Sequence, residues 1–471
     1  MNTLHRFCAL VFVLFCGGNL RAVDINYYGT DVASLSGTYA DEIWFYDNSS
    51  AGTSNITNNN IIRFLDNATA GSTSITNNFR VFFNDSTTAG SGTFINNSIY
   101  DFDFNNSSSA GSANITNGTG AVIDFRNTAT AATATITNSG FINFFTGSTA
   151  GSASFTNDGT INFNTGSSAG SASLTNSGTI KLFSGETATS AQLTNDSTGA
   201  IVLNYGTATY HFGTLAGGGT LNVRGNTASV GGLDTSTTFS GDITGTGGLT
   251  KTGSGALTLS GSNTYTGTTA INAGTLALTG SGTLASFRVN VGTGTTLDVS
   301  AVTDGFILGY NQTLAGTGFV VGDVTLGNGA HLAPGASPGT LTFDDRLIFN
   351  SGSIIDFELG TISDLIVLTG GTLTGPTGSG GITLNLTDSG DFAAGTYTLL
   401  NYNSAFLDDF TTDDFVFDTI IEGYSFNLAF AGNTLQLTAT AIPEPGTYIA
   451  LAGLVALSVA AFRRRRPAQP E

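Results

Sequence analysis

The sequence predicts an all-β fold, a parallel β-solenoid in which short strands of successive chain turns stack into long sheets. A unit of 19 or 21 residues recurs eight times between residues 43 and 198. Within each unit, apolar residues stand two positions apart, which is the period of a strand with one buried face. A unit this short cannot bury that face alone, so stacked copies must cover one another.

The repeat is anchored on an alanine, with apolar residues eight and six positions before it and five positions after it. The residue six positions before is Phe in seven of the eight units. Stacking at about 4.8 Å per coil places the equivalent residues of successive coils above one another. We therefore expect Phe104 to lie between Phe83 and Phe125 in a dry column. We assign Ser108 to the outer surface. The eight alanines are spaced by 19, 19, 21, 21, 19, 19 and 19 residues: Ala51, Ala70, Ala89, Ala110, Ala131, Ala150, Ala169 and Ala188.

An asparagine recurs seven positions after each of these alanines. A row of amides could bind a sugar, but each asparagine shares the inward parity of the apolar residue two positions earlier. We therefore expect a structural ladder of amide hydrogen bonds between coils, at a turn where asparagine tolerates left-handed backbone. The predicted ladder contains Asn58, Asn77, Asn96, Asn117, Asn138, Asn157, Asn176 and Asn195.

The composition excludes several classes of function. The 471 residues carry 33 acidic and 14 basic side chains, for a net charge of −19, which repels phosphate backbones and makes nucleic acid an unsuitable partner. Only 10% of the residues are charged and 64 are Gly, a composition that suits turns and short strands. The two cysteines, Cys8 and Cys16, lie in the first 22 residues, so the chain beyond them has no thiol for a disulfide or zinc site.

We expect no catalytic grouping and no cofactor, and hence no enzyme. Arg63 and Lys181 share a column but lie six coils apart, and we expect Asp66, Asp85 and Asp124 not to align with one another. His211 and His331 are 120 positions apart in the sequence. An acid-rich stretch lacks calcium-loop spacing and leaves only adventitious calcium binding open: Asp408, Asp409, Asp413, Asp414 and Asp418.

The N-terminus reads as a secretory signal peptide. A basic start is followed by the apolar stretch "FCALVFVLFC" and by small residues, which predicts a signal over residues 1–22 with cleavage after Ala22. A lipoprotein anchor at Cys16 is the alternative, although Phe15 fits poorly where such a site needs a small residue. Residues 23–42 would then form an N-terminal cap.

Residues 199–345 keep the alternation of strands and turns but lose the regular period. The segment "GGLTKTGSGALTLSGSNTYTGTTAINAGTL", residues 247–276, resembles the autotransporter-associated β-strand repeat. This resemblance implies a right-handed β-helix of the kind found in bacterial surface passengers. We expect residues 346–441 to form a β-rich cap over the last open strand edges. The resemblance rests on Gly248, Leu249, Lys251, Gly253, Gly255, Leu257, Leu259, Gly261, Asn263, Thr264, Tyr265, Gly267, Thr269 and Gly274.

The C-terminal segment, residues 442–471, combines three features in order. Residues 446–462 are uncharged and would form a helix of about 26 Å, long enough to span a membrane. The tripeptide Pro443-Glu444-Pro445 precedes this helix, and the basic block that follows it would remain in the cytoplasm. Together these features resemble the PEP-CTERM sorting signal. The basic block consists of Arg463, Arg464, Arg465 and Arg466.

The PEP-CTERM resemblance implies a Gram-negative bacterium and an inner-membrane intermediate. It also implies export machinery, an exosortase-like processing enzyme and delivery to the cell surface or extracellular matrix. Two classes of function remain open. The first is a non-enzymatic structural or adhesin-like surface protein, which the absence of catalytic groupings favours. The second is a β-helix that binds or degrades polysaccharide, and exopolysaccharide is a candidate partner in both.

Overall fold

A computed structural model describes residues 24–183, 187–335, 338–376, 381–402, 406–408 and 410–442. Within these residues the chain consists of β-strands joined by turns, and the one helical segment among them is a 3-10 turn, Thr412–Asp414. Almost every strand pairs in parallel with its equivalents one coil earlier and one coil later. The predicted all-β parallel solenoid is confirmed.

The first sheet runs along one side of the repeat region and slightly beyond it. Each of its eight strands within the repeat carries the apolar pair that lies eight and six positions before the repeat alanine, and both side chains face the interior. Its twelve parallel strands are Ile25–Tyr27, Ile43–Phe45, Ile61–Phe64, Arg80–Phe83, Phe102–Phe104, Val122–Phe125, Phe141–Phe144, Thr160–Phe163, Thr179–Leu182, Ala200–Leu203, Thr220–Arg224 and Ile243–Gly245.

The second sheet lies on another side of the same coils and carries the predicted asparagine column. A third side is one residue wide, where backbone bridges join Ser50, Thr69, Thr88, Ser109, Thr130, Thr149 and Ser168. The second sheet's strands in this region are Ser36–Tyr39, Asn55–Asn58, Ser74–Asn77, Thr93–Asn96, Asn114–Asn117, Thr135–Asn138, Ser154–Asn157, Ser173–Asn176, Thr187–Asn195 and Thr209–Gly217.

Beyond Thr209–Gly217 the second sheet continues as two parallel stacks. One contains Thr227–Val230, Gly248–Lys251, Thr269–Ile271, Arg288–Val291, Thr313–Gly316, His331–Pro334, Ile354–Leu359, Ile382–Asp388 and Phe415–Thr419. The other contains Thr237–Phe239, Ala256–Leu259, Thr275–Gly280, Thr296–Val302, Phe319–Val321, Thr340–Phe343, Leu365–Leu368 and Gly395–Asn401.

Short strands complete the third side of these later coils. Two form the pair Ser262–Asn263 and Thr283–Leu284, and five stack as Phe306–Leu308, Val324–Leu326, Leu347–Phe349, Thr372–Thr374 and Phe406–Asp408. Among the named strands of the described residues, antiparallel pairing occurs at the C-terminal end, and one isolated antiparallel bridge joins Gly316 to Gly335. At the C-terminal end Thr434–Ala441 pairs antiparallel with both Gly395–Asn401 and Tyr424–Ala431, so a hairpin covers the edge of the last coil.

The interior of the repeat region is a column of stacked phenylalanine rings. The rings of Phe83 and Phe125 lie 4.8 Å on either side of Phe104, centroid to centroid, and are tilted from it by only 6° and 5°. All three side chains are fully buried, so the predicted position of Phe104 is confirmed. Each ring contributes about 1.5–3 kcal/mol from burial and about 0.5–1.5 kcal/mol from ring–ring contact.

The assignment of Ser108 to the outer surface is wrong, because its side chain is fully buried. The alternation of inward and outward side chains continues through the corner that follows the first sheet. Ser108 lies four positions after Phe104 and therefore keeps the inward parity. The equivalent residues of the neighbouring coils are also buried: Ser49, Ala68, Thr87, Ala129, Ser148 and Ser167.

The left-handed turn is not at the asparagine ladder, where we expected it. The positive φ angles fall at a different column, four positions before the repeat alanine: Asp47, Asp66, Asp85, Asn106 and Asn127, with φ of 56–59°. Aspartate and asparagine suit this conformation because their short side chains bond the local backbone. The residue after the alanine also has positive φ and is glycine in most coils, since a Cβ on Gly90 would lie 2.3 Å from the carbonyl oxygen of Gly71. In one coil Ala132 occupies this position with φ of 51°.

The described part of the chain contains no helix that is long and apolar enough to cross a membrane. The predicted signal peptide with Ala22, and the predicted helix over 446–462, lie outside the described residues.

Candidate functional site

The asparagine column forms a continuous side-chain ladder inside the second sheet. In each step the Nδ2 of one asparagine donates to the Oδ1 of the next, at 2.6–2.8 Å, from Asn58 to Asn195. Every member is at most 1% exposed. The ladder runs along the axis of the solenoid and joins eight coils.

The ladder amides also bond the backbone of their own coil and of the next coil. Asn138 is typical: its Nδ2 also donates to the carbonyl of Gly140, and its Oδ1 accepts from the N–H of Gly140, both at 3.2 Å. An amide that is buried and bonded in this way has no group available for a ligand. This geometry favours a structural ladder over sugar binding.

The outer surface of the first sheet carries the basic residues of the repeat region, together with outward-facing aromatic rings such as Trp44 and Phe82. All four basic residues of positions 24–183 lie there: Arg63, Arg80, Arg126 and Lys181. The guanidinium carbon of Arg63 lies 4.9 Å from the ring centroid of Trp44 and 4.5 Å from that of Phe82. Arg63 therefore occupies the ring faces on which a sugar could stack, and the contacts are worth about 0.5–1 kcal/mol each.

Two buried carboxylates lie side by side on this surface. Asp103 and Asp124 are backbone partners on adjacent strands and are 8% and 7% exposed. Arg126 bonds the Oδ2 of Asp124 and lies 3.7 Å from the Oδ2 of Asp103, and Asn143 donates to the Oδ1 of Asp124 at 2.7 Å. The Oδ1 of Asp103 has no hydrogen-bond partner among the described residues.

Burial and the neighbouring Asp124 carboxylate raise the pKa of Asp103 to about 7. Burial also raises the pKa of Asp124, against the opposing effects of Asn143 and Arg126. Two carboxyl groups in one desolvated place cannot both ionise freely. Asp103 therefore binds a proton near neutral pH, and Arg126 covers the pair.

The expectation that Asp66, Asp85 and Asp124 do not align is wrong for the first two residues. Asp66 and Asp85 occupy one column, and the backbone N–H of Asp66 donates to the Oδ2 of Asp85 at 3.1 Å. Asp103 and Asp124 both lie seven positions before a repeat alanine. Asp124 lies in a different column from Asp66 and Asp85, as expected, and the period that places the asparagines also identifies Asp103 as its neighbour.

A polar cleft of about 270 Å³ lies between later coils of the solenoid. Its charged lining residues are Arg288, Asp356, Glu358 and Asp364. At its edge, Asp356 bonds the Nδ1 of His331 at 2.8 Å and accepts from another side chain, Asn385, at 2.7 Å. Asp356 is therefore satisfied by side chains of the two adjacent coils.

Asp364 in the same cleft is held by the backbone. It is 2% exposed and accepts from the N–H groups of Gly339 and Glu358, both at 2.8 Å. Burial raises its pKa to about 6, although these two hydrogen bonds act in the opposite direction. Glu358, which also lines the cleft, is exposed. The cleft thus brings together a desolvated and a solvated carboxyl group.

Lys251, one of the residues on which the autotransporter resemblance rests, is 1% exposed. Its Nζ donates to the carbonyls of Thr252, Gly253 and Ala273 at 2.5, 2.8 and 3.2 Å. Burial lowers the pKa of this amine. Since three backbone carbonyls belonging to two coils hold it, Lys251 closes a turn and stabilises coil stacking.

The structure assembles no metal centre from the residues it describes: no three His, Cys, Asp or Glu side chains are close enough to hold an ion. Asp409, from the acid-rich stretch, lies outside the described residues. So do all predicted sorting residues, Pro443, Glu444, Pro445 and Arg463 to Arg466, and the cleavage residue Ala22.

Two family models match short segments of the chain. The passenger-associated-transport-repeat matches residues 249–278, and the PEP-CTERM protein-sorting motif matches residues 441–466. Both resemblances read from the sequence are confirmed. The fold and these two segments define the class of protein: a parallel β-solenoid that contains a passenger-type repeat and carries a PEP-CTERM sorting motif.

The chain is also similar to individual adhesins. It is 28% identical over 255 residues to the adhesin BmaC autotransporter of Brucella suis biovar 1 (strain 1330), a match covering 51% of this chain and 7% of that protein. The chain therefore spans less than a tenth of the length of this curated relative. Among solved structures it is similar to the Haemophilus influenzae Hap adhesin, with 12% identity, a TM-score of 0.24, and coverage of 87% of this chain and 64% of that one.

Proposed function

We propose that this protein is a non-enzymatic structural or adhesin-like component of the bacterial cell surface or extracellular matrix. An exosortase-type system would sort it there. The observation that carries the proposal is the match of residues 441–466 to the PEP-CTERM sorting motif, which begins where the last strand of the solenoid, Thr434–Ala441, ends. The solenoid is then the exported body, and the segment behind it is the signal.

The proposed route has three steps. A signal peptide directs export and is removed after Ala22. The helix over 446–462 then holds the chain in the inner membrane, with the arginine block Arg463 to Arg466 on the cytoplasmic side. An exosortase-like enzyme finally recognises Pro443-Glu444-Pro445 and releases the body from the membrane.

The arrangement of side chains in the body supports a role without catalysis. The asparagine ladder and the phenylalanine column both use repeated residues to join coils, and Asp103 and Asp124 are covered by Arg126. The similarity to an adhesin autotransporter supports a contact role at the surface. A stiff rod with a repeated exterior suits both adhesion and matrix building.

The polar cleft supports a second candidate, in which the solenoid binds or degrades polysaccharide. Asp364, with its raised pKa, could protonate a leaving group in a cleft that the exposed Glu358 also lines. Incubation of the protein with acidic and neutral polysaccharides tests this alternative. Depolymerisation that Asp364→Asn abolishes would replace the non-enzymatic proposal, whereas intact polymers would support it.

The sorting proposal is tested in the native host by mass spectrometry of membrane and extracellular fractions. The extracellular body should end near residue 443 and contain no peptide from 449–462. Glu444→Ala should leave full-length protein in the inner membrane, whereas the control Glu471→Ala, outside the matched motif, should be processed normally. Wild-type protein that keeps its arginines and stays in the inner membrane would show that the segment is a permanent anchor.

A further inference from the structure

One outer surface of the solenoid consists of small uncharged side chains in a regular array. We call it the hydroxyl face. It lies on the second sheet and comprises the residues two, four and six positions after the repeat alanine in seven successive coils. Nineteen of its 21 residues are exposed, and Thr57 and Thr76 are half-buried. The columns are Thr53, Ser72, Ser91, Ser112, Thr133, Ser152 and Ser171; Asn55, Ser74, Thr93, Asn114, Thr135, Ser154 and Ser173; and Thr57, Thr76, Ile95, Thr116, Thr137, Thr156 and Thr175.

The hydroxyl face has no charged residue, in a protein whose net charge is −19. Most charges of the same coils lie elsewhere: the basic residues are on the outer surface of the first sheet, and Asp47, Asp66 and Asp85 are at the left-handed turn. One exposed acid, Asp158, directly follows the strand Ser154–Asn157 and lies beside the face. Two copies that approached through a charged surface would repel each other. The hydroxyl face itself is uncharged, so two copies that meet through it avoid most of that cost.

The coils beneath this face are stacked with little rotation between them. In the phenylalanine column, the rings of successive coils from Phe45 to Phe163 are inclined to one another by only 1–8°. Untwisted sheets of this length are unusual and depend on side-chain ladders such as those of phenylalanine and asparagine found here. A flat face can touch an equal face along its whole length, whereas a twisted sheet can touch only locally.

We propose that the hydroxyl face binds the same face of a second copy, so that two rods lie side by side in a symmetric pair. Seven coils at about 4.8 Å and three columns about 6.7 Å wide give a contact of about 680 Å² per copy, or about 1,350 Å² in total. That total reaches the lower end of the range for specific protein interfaces. A two-fold axis makes the contact self-complementary and closed.

The side chains of the face suit close packing between sheets. Ser and Thr are short, so two sheets can approach and interdigitate in the manner of stacked β-segments. The hydroxyls of Thr137, Thr156 and Thr175 make no hydrogen bond to another described residue, and each can bond a hydroxyl across the contact. Ile95 replaces a threonine in this column and adds apolar area.

Sedimentation equilibrium and small-angle scattering of the protein purified from its host test the pairing. We expect a concentration-dependent mass approaching twice that of one chain, with a doubled cross-section and an unchanged length. Added salt should strengthen the pair, because it screens the repulsion between two acidic rods. A single-chain mass at all concentrations would overturn the proposal, and so would a pair of doubled length, which would mean contact through the ends.

A matched pair of variants locates the contact. Thr137→Asp with Thr156→Asp places two charges at the centre of the hydroxyl face and should weaken pairing at least tenfold. Thr160→Asp with Thr179→Asp makes the same change on the first sheet and should leave pairing intact. Equal effects of the two double variants, at equal melting temperatures, would contradict the proposed face. This inference goes beyond the proposed function and does not depend on the export route.

Discussion

At the residue scale, Asp103 shows how a repeat can bury a carboxyl group next to a second one. The position seven before the repeat alanine points outward, yet Asp103 is 8% exposed because Asp124 and Arg126 pack against it. The desolvation and the neighbouring carboxylate both favour the protonated form. At high pH, the ionised Asp103 side chain therefore destabilises the folded state.

We expect Asp103→Asn to stabilise the protein at pH 8 and to have little effect at pH 4. The folded-state pKa of about 7 exceeds the ordinary value of 3.8, so the folded chain binds more protons between these values. The free energy of unfolding of the wild type therefore falls as pH rises from about 4 to about 7. Urea unfolding at several pH values should show that the free energy of unfolding of Asp103→Asn falls less over this pH range than that of the wild type. The exposed control Asp158→Asn should show the same fall as the wild type.

A second residue-scale prediction concerns the asparagine ladder. Asn117 lies in its interior and bonds Asn96, Asn138 and two backbone carbonyls. Asn117→Leu should destabilise the protein by about 2–4 kcal/mol, because the neighbouring amides lose buried partners. Asn114→Leu, on the exposed side of the same strand, should cost less than about 0.5 kcal/mol. Similar losses for the two variants in chemical unfolding would mean that the ladder contributes no special stability.

At the element scale, what could be read from the sequence depended on periodicity. Phe104 was placed correctly because its column repeats in seven of eight coils, and the ladder asparagines were found in the same way. The prediction for Ser108 was wrong because the alternation of inward and outward side chains continues through the corner that follows the first sheet. The polar cleft could not be predicted, since Arg288, Asp356 and Asp364 come from coils whose lengths vary, and their proximity depends on loop geometry.

The corrected position of Ser108 gives an element-scale prediction. Ser108→Asp should destabilise the stack by several kcal/mol, because it places an unpaired charge at a fully buried position. Phe104→Asp should have a larger effect, since it also removes a ring from the column. Exposed Ser112→Asp is the matched control and should change the melting temperature little. A wild-type melting temperature for Phe104→Asp would contradict the dry column.

At the scale of the whole molecule, stability is shared between neighbouring coils. Most strands pair only with those one coil away, so the chain behaves as a one-dimensional stack whose length can change without loss of fold. The antiparallel hairpin formed by Tyr424–Ala431 and Thr434–Ala441 protects the C-terminal edge. Removal of an internal coil is therefore a test of the whole architecture.

We expect deletion of residues 150–168, one complete 19-residue coil, to leave a folded rod shorter by about 4.8 Å. The deletion joins Thr149 to Ala169, and the strand Phe141–Phe144 would then pair with Thr179–Leu182 in the same register. Asn138 would likewise bond Asn176 and keep the ladder continuous. Deleting residues 160–168 alone removes a strand from the first sheet but none from the second, so the register fails and the protein should aggregate. Circular dichroism and small-angle scattering check both results, and equal tolerance of the two deletions would contradict coil-by-coil stacking.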